Sequence, residues 1–404
     1  MSEMVPKIRF QGFTDAWERR KLDDVLTERN IQQPQTSEYP LVSFTVEKGV
    51  TPKTERYERE QLVVGDTKSK KYKITEFNDI VYNPANLKFG AISRNSYGKA
   101  VFSPIYVTFV VDEQIAYPKF MEMFVTRPDF IQHALKYQQG TVYERQSVSP
   151  ENLLSMNLLL PIKDEQSQIG LFFQKFDDII NFHQRKLDLL KEQKKGFLQK
   201  MFPKDGQIVP EIRFAGFTDD WEQCKLRDIV DIYDGTHQTP KYTSAGVKFV
   251  SVENISNLET EKYISQEAYE KEYANKQTSK GDVLMTRIGD IGTARVVETT
   301  EPLAYYVTLS LLKPKLVESD FLAWLITSPA VQHNIWKRTL HIAFPKKINL
   351  GEINQVETTI PKKTEQEKIG IFFKQLDDLI TLHQRKVNIL KEQKKGFLQK
   401  MFVS

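Results

Sequence analysis

Between residues 164 and 202 apolar side chains fall at Ile169, Phe172, Phe173, Phe176, Ile179, Ile180, Leu187, Leu190, Phe197, Leu198 and Met201. Spacings that alternate three and four mark one face of an α-helix. The pattern returns at Ile369, Phe372, Phe373, Leu376, Leu379, Ile380, Val387, Leu390, Phe397, Leu398 and Met401. A helix of about 36 residues is about 54 Å long at 1.5 Å per residue, longer than most globular helices and closer to a coiled-coil arm. Each stripe needs a partner, and the other stripe is the obvious one. Pro161 and Pro361 stand just ahead of the two helices, and Pro203 with Gly206 ends the first. Elsewhere the helical period is lost. Short β-branched and aromatic runs such as Ile105 to Val111, separated by Gly, Asn and Pro turns, predict strands, with at least one late helix around His133 or His333.

The patterning is duplicated. Leu190-Lys-Glu-Gln-Lys-Lys-Gly-Phe-Leu-Gln-Lys-Met-Phe202 recurs unchanged at Leu390 to Phe402, and Ile8-Arg-Phe-Gln-Gly-Phe-Thr-Asp-Ala-Trp-Glu18 returns at Ile212 to Glu222 with two substitutions. The stretches between, roughly 22–160 and 226–360, keep only sparse matching anchors. Asp79-Ile-Val81 answers Asp282-Val-Leu284, Gly90-Ala91 answers Gly292-Thr293, Thr126-Arg-Pro128 answers Thr327-Ser-Pro329, and Gln132-His133 answers Gln332-His333. The numbering offset drifts in order from 204 to 200, as small loop deletions in one shared fold require. The expectation is an α+β chain of two tandem pseudo-repeats, each a globular mixed α/β domain followed by a long helix. Its parts are 1–160, 161–205, 206–360 and 361–404.

Composition narrows the function by exclusion. A net charge of +4 is too small to make the whole chain a nucleic-acid coat, so any polyanion must meet local patches. One cysteine, Cys224, allows no internal disulfide, and no apolar run approaches a membrane span, so a soluble cytoplasmic protein without membrane contact is expected. No G-x-x-x-x-G-K-[ST] phosphate cradle occurs; Gly98-Lys99 is followed by Ala100. Gly289-Asp-Ile-Gly292 reads as a turn, and Asn83-Pro-Ala-Asn86 lacks the second proline and the aromatic of an amino-methyltransferase loop. None of the six histidines sits at metal-ligand spacing, so no metal and no catalytic residue are expected; His183 and His383 read as seam residues. Asp177-Asp178 and Asp377-Asp378 read as a solvated helix face.

What remains is binding. Lys68, Lys70, Lys71, Asn83, Lys88, Arg145 and Gln146 in the first variable stretch, and Thr236, His237, Gln238, Lys241, Arg287, Lys346 and Lys347 in the second, combine cations with amides and hydroxyls. Phosphates and base edges are contacted by such mixtures. Arg145-Gln-Ser147 and Pro345-Lys-Lys347 fall at equivalent places, so a duplicated unit touches one long polyanion twice. The frame rests on Ile169, Phe173, Phe176, Ile180, Leu187, Leu190 and Phe197, and on Ile369, Phe373, Leu376, Ile380, Val387, Leu390 and Phe397. Identity at the polar positions of Lys191 to Gly196 and their copies points to a surface used twice for one kind of partner, since exposed positions otherwise tolerate change.

The two Phe-Thr-Asp-x-Trp-Glu stretches, the Pro-x-Lys-x-Glu-Gln-x-x-Ile-Gly starts at Pro161 and Pro361, and Gly281-Asp-Val-Leu-Met-Thr-Arg-Ile-Gly289 together resemble the DNA-specificity subunits of type I restriction-modification systems, over essentially the whole chain. The first stretch departs at the equivalent place, reading Asn78-Asp-Ile-Val-Tyr-Asn83, so no role of Arg287 transfers to it. The resemblance implies two target-recognition domains, each reading half of an asymmetric bipartite site in double-stranded DNA, and two helices packed as an antiparallel coiled coil. It also implies two methylation subunits docked on the helical frame and a restriction and translocation subunit beside them. S-adenosylmethionine then belongs to the methylation subunit, ATP and Mg to the restriction subunit, and no cofactor to this non-catalytic chain. A self-sufficient DNA methyltransferase or nuclease, or a bivalent DNA-binding regulator, are the alternatives.

Overall fold

The computed structural model describes residues 4–53, 70–139 and 146–403; Lys68 and Arg145 lie outside them. Two long helices dominate, α1 (Lys163–Lys200) and α2 (Lys363–Met401). The first ends short of Pro203. Contacts divide the chain into two units, residues 1–182 with 387–404, and residues 183–386. Each long helix therefore gives one part of its length to each unit.

The first unit is built on a four-stranded antiparallel sheet of β1 (Leu26–Glu28), β2 (Ile80–Tyr82), β3 (Ile92–Arg94) and β4 (Val107–Val111), in the order β1-β4-β2-β3. The second uses β5 (Val230–Asp234), β6 (Val283–Thr286), β7 (Ala294–Val296) and β8 (Leu309–Pro314), in the order β5-β8-β6-β7. The path is the same in both. Asp79 and Asp282 open the second strand of each sheet by accepting the backbone N–H three residues earlier, from Glu76 at 2.7 Å and Ser279 at 2.8 Å. Each carboxylate also meets a cation, Arg29 or Lys313, which counters part of the cost of its burial. Pro128 and Pro329 start helices Pro128–Ala134 and Pro329–Arg338, where proline's fixed φ and missing N–H carry no penalty.

Beside the shared sheets the units diverge. The first carries a three-stranded sheet (Gln32–Gln33, Tyr72–Thr75, Ala100–Phe102) and a hairpin (Val42–Thr45 with Gly49–Pro52). The second carries a four-stranded sheet with a parallel pair (Val247–Val250 with Leu303–Tyr305) and helix Gln266–Tyr273. These elements have their own small cores, around Val42, Val50 and Phe102 in one case and Phe249, Tyr273 and Tyr305 in the other.

The repeated motifs tie each globular part to a long helix. Arg9 grips Glu165 through two hydrogen bonds of 2.7 Å, and Arg213 grips Glu365 through two of 2.8 Å; both glutamates are buried. Those bonds hold each guanidinium above its ordinary pKa. Gln166 and Gln366 donate to the carbonyls of Pro161 and Pro361 and accept from the N–H of Tyr117 and Glu318. Gly370 is required because a Cβ there would lie 2.7 Å from Glu318 Oε2 and 3.1 Å from Phe321 N. Trp17 packs edge-on to Phe120 and Phe402 in the first unit, and Trp221 edge-on to Phe321 and Phe202 in the second.

Within the first unit Phe172 meets Phe397 at 5.2 Å and Asp177 pairs with Lys394. Within the second Phe197 meets Phe372 at 5.0 Å, Lys194 pairs with Asp377, and the Nδ1 atoms of His183 and His383 lie 2.9 Å apart. In each unit later residues of one helix meet earlier residues of the other, so the segments run antiparallel. Burial and the neighbouring His383 and Lys386 push His183 below the ordinary histidine range. Ile169, Phe173, Ile180, Leu187, Leu190, Ile369, Phe373, Leu376 and Val387 are buried, while Phe176, Phe197, Ile380, Leu390 and Phe397 are half-buried.

Two sequence expectations need correction. Ile179 and Leu379 sit outside the packed stripe, 45% exposed each. Asp177 and Asp377 are not solvated, because each is half-buried against a lysine of the invariant segment, with Lys119 adding a second cation at 3.0 Å from Asp177.

Candidate nucleic-acid interface

In the second unit one buried guanidinium organises three loops. Arg287, at the end of β6, pairs with Asp234 at the end of β5 and donates to the Ile348 carbonyl at 3.3 Å. Ile348 returns its N–H to the Arg287 carbonyl at 2.9 Å, and Gly289 N donates to Lys346 O at 2.8 Å. The roots of loops 235–241, 287–293 and 340–347 are thereby fixed together. Asp234 also receives His237 at 2.7 Å. Outward from the hub, His237, Gln238, Thr239, Lys241, Asp290, His341, Lys346 and Lys347 are exposed.

The first unit makes the same junction with different residues. Val148 N donates to Pro84 O at 3.2 Å, matching the bond from Ile348 to Arg287, and the buried Tyr82 hydroxyl donates to Val148 O at 3.1 Å in place of the guanidinium. Burial raises the Tyr82 pKa, so the hydroxyl stays a donor. The late loop closes through an antiparallel bridge between Gln139 and Ser147, as Leu340 and Lys347 close theirs. Lys88 and Gln146 are exposed near these roots in sequence; Lys70 and Lys71 are exposed just before the strand Tyr72–Thr75.

Three residues selected from the sequence face inward. Asn83 is 4% exposed and its Oδ1 accepts from Ala85 N at 3.1 Å, which shapes the loop. Thr236 is 5% exposed and bonded through its backbone to Tyr305 and Val307. Arg287 is 6% exposed and committed to Asp234 and Ile348. Their geometry supports loops instead of presenting side chains to a ligand. Sequence reasoning missed Asp234, the partner of Arg287, and the buried Tyr82 hydroxyl, and it offered the loop 341–347 without singling out its exposed Ile342 and Phe344. Two large apolar residues inside a lysine-rich loop were the available signal.

The long helices carry a second repeated surface. Leu171, Ile179, Phe182 and Leu189 of α1 are exposed, and so are Ile371, Leu379, Leu382 and Ile389 of α2, each pair 200 residues apart. The invariant segment also lines a groove in each unit, of about 350 Å³ between Lys395, Gln399 and Arg127 and about 460 Å³ between Lys195, Gln199 and Thr327. Cys224 is half-buried, its thiol pushed up to about 11 by burial, which leaves it a poor nucleophile. Among the described residues there is no cluster of three or more metal-ligating side chains, and no helix is long and apolar enough to cross a membrane.

Residues 218–392 match the family described as type I restriction modification DNA specificity domain. The chain is 22% identical over 259 residues to the type I restriction enzyme MjaVIII specificity subunit of Methanocaldococcus jannaschii, covering 60% of each protein. It is 24% identical over 183 residues to the MjaIX specificity subunit of the same organism, covering 43% of this chain and 41% of that one. The matches thus span less than two thirds of these relatives. In fold, the chain is similar to a type I restriction-modification S subunit from M. genitalium, with a TM-score of 0.66 at 14% identity over 99% of this chain and 100% of the other. A chain from a structure concerned with complex assembly and conformational transition of the type I R-M system gives 0.52 at 16% identity, over 96% and 97%.

Proposed function

We propose that this chain belongs to the type I restriction-modification DNA specificity family and reads an asymmetric bipartite site in double-stranded DNA, one half with each unit. The observation that carries the reading is the pairing of one shared sheet and loop junction with two unlike neighbouring sheets. A common frame sets each reader in the same way, and different loops give each a different sequence to read. The antiparallel helix segments act as a coiled-coil spacer that fixes the separation of the half-sites.

The two exposed apolar quartets, each followed by a groove lined by the repeated basic segment, serve as docking surfaces for two methylation subunits. Catalysis belongs to those partners, which hold S-adenosylmethionine and extrude the target base, and to a restriction and translocation subunit using ATP and Mg. The chain works in the cytoplasm, bound to no membrane.

Co-expression with the cognate methylation subunit tests the proposal. The expected product contains two methylation subunits per chain and methylates one bipartite sequence. Exchanging residues 226–360 should change one half-site, and shortening both helices by two turns should change the spacer alone. Methylation or cleavage by the purified chain without companions would overturn the assignment.

A further inference from the structure

Loop 340–347 of the second unit holds the two most exposed large apolar side chains among the described residues, Ile342 at 98% and Phe344 at 104%. The loop is not slack. Leu340 N donates to Lys347 O at 2.8 Å, Gly289 N holds Lys346 O, and Ile348 at its foot is fully buried and tied to Arg287. On its other side His341 Nε2 contacts the Trp336 carbonyl at 2.9 Å, and the two rings lie 4.8 Å apart. An anchored loop that leaves a phenyl ring and a branched aliphatic in water forgoes their burial, and such a patch is kept for a partner. The neighbours of the tip say which partner. Lys346 and Lys347 are exposed, make no ion pair among the described residues, and stand beside the loops of Gln238, Lys241 and Arg287.

Resting on the DNA-reading assignment above, we infer that Phe344, with Ile342 beside it, is a wedge that enters the base stack of the half-site read by the second unit, while Lys346 and Lys347 hold the flanking phosphates. Apolar side chains inserted at a base step unstack and bend the duplex, and the cost depends on the sequence of that step. The loop would thus select a deformable step without a hydrogen bond to any base. In the first unit the matching segment carries Tyr143, which lies outside the described residues.

The test uses the chain assembled with its methylation subunits and a duplex bearing its mapped site. 2-Aminopurine is placed in turn at each position of the second half-site other than the methylated one. Wild-type complex should raise the emission at one step. Phe344→Ala should abolish that rise and weaken site-specific binding roughly ten- to hundredfold, by the measured worth of a base stacked on an aromatic ring. Phe344→Trp should retain both. Because the ring touches solvent only, the alanine variant removes no core contact and assembly should be unchanged. Wild-type emission and affinity in Phe344→Ala, with specific binding intact, would sink the wedge and leave the DNA reading standing. Loss of the methylation subunits from Phe344→Ala would make the tip a protein contact and overturn the wedge as well. A wild-type complex with no specific site would refute the DNA reading itself.

Discussion

Phe402→Ala alters a residue near the end of the second repeat, yet its effect is expected in the globular part of the first. The Phe402 ring is 3% exposed, 5.1 Å from Phe120 and 6.0 Å from Trp17, with the Arg127 guanidinium 5.0 Å above it. Truncating a buried phenylalanine costs about 3–5 kcal/mol through lost transfer energy and the cavity left behind. Hydrogen exchange followed by mass spectrometry localises the loss. Amides of Val107–Val111 in β4 should lose protection by roughly two to three and a half orders of magnitude, at 1.4 kcal/mol per tenfold. Those of Leu309–Pro314 in β8 should stay within a fewfold of wild type. Phe202→Ala, in the matching cluster with Trp221 and Phe321, should give the mirror result. If Phe402→Ala loosens both sheets equally, or leaves β4 within tenfold of wild type, the placement of this residue in the first unit's core is wrong.

Other expectations follow from single contacts. Burial works against the Asp177 charge, but Lys119 and Lys394 outweigh it and hold the carboxyl below the ordinary aspartate range. Its contribution is therefore present above about pH 4 and lost as pH falls through the lower folded value, so Asp177→Asn should destabilise at pH 7 and the difference from wild type should shrink in urea titrations as pH falls below that range. Gly370→Ala should cost about 1–3 kcal/mol by forcing the Glu318 cap off the helix it serves, whereas Gly396→Ala, with nothing within 4 Å, should gain up to about 1 kcal/mol in calorimetry. Replacing Lys346 and Lys347 together by alanine should weaken binding to all duplexes alike and flatten the plot of log K against log salt by roughly 0.9 per lost phosphate contact; an unchanged slope removes them from the interface.

Legibility in the sequence followed the periodicity of the constraint. The long helices were plain because three-and-four spacing persists for ten turns, and the repeats were plain because whole words recur. The ordered anchors Asp79 and Asp282, and Pro128 and Pro329, foretold one shared sheet path because they serve local jobs, a turn acceptor and a helix start. Burial of polar groups was not legible. Arg287, Thr236 and Asn83 have the chemistry of DNA contacts and spend it on loop roots, since only the tertiary fold decides whether Asp234 or water meets Arg287. Asp177 was misread for the same reason: its partners, Lys119 and Lys394, lie far from it in sequence. The division of each variable stretch into a constant and a divergent sheet was equally hidden, because short strands carry too few residues to reveal their neighbours.

The split of each long helix between the units sets an order of events during synthesis. The second unit comprises residues 183–386, and its Trp221 cluster is complete as soon as Phe321 and Phe373 join Phe202. The first unit, although translated first, lacks residues 387–404 until the second unit has been made. Until then its Trp17 and Phe120 surfaces have no Phe402 to close on them. The first core can thus close only after the second has been made, and a chain cut after residue 386 is expected to keep the second core while leaving the first one open.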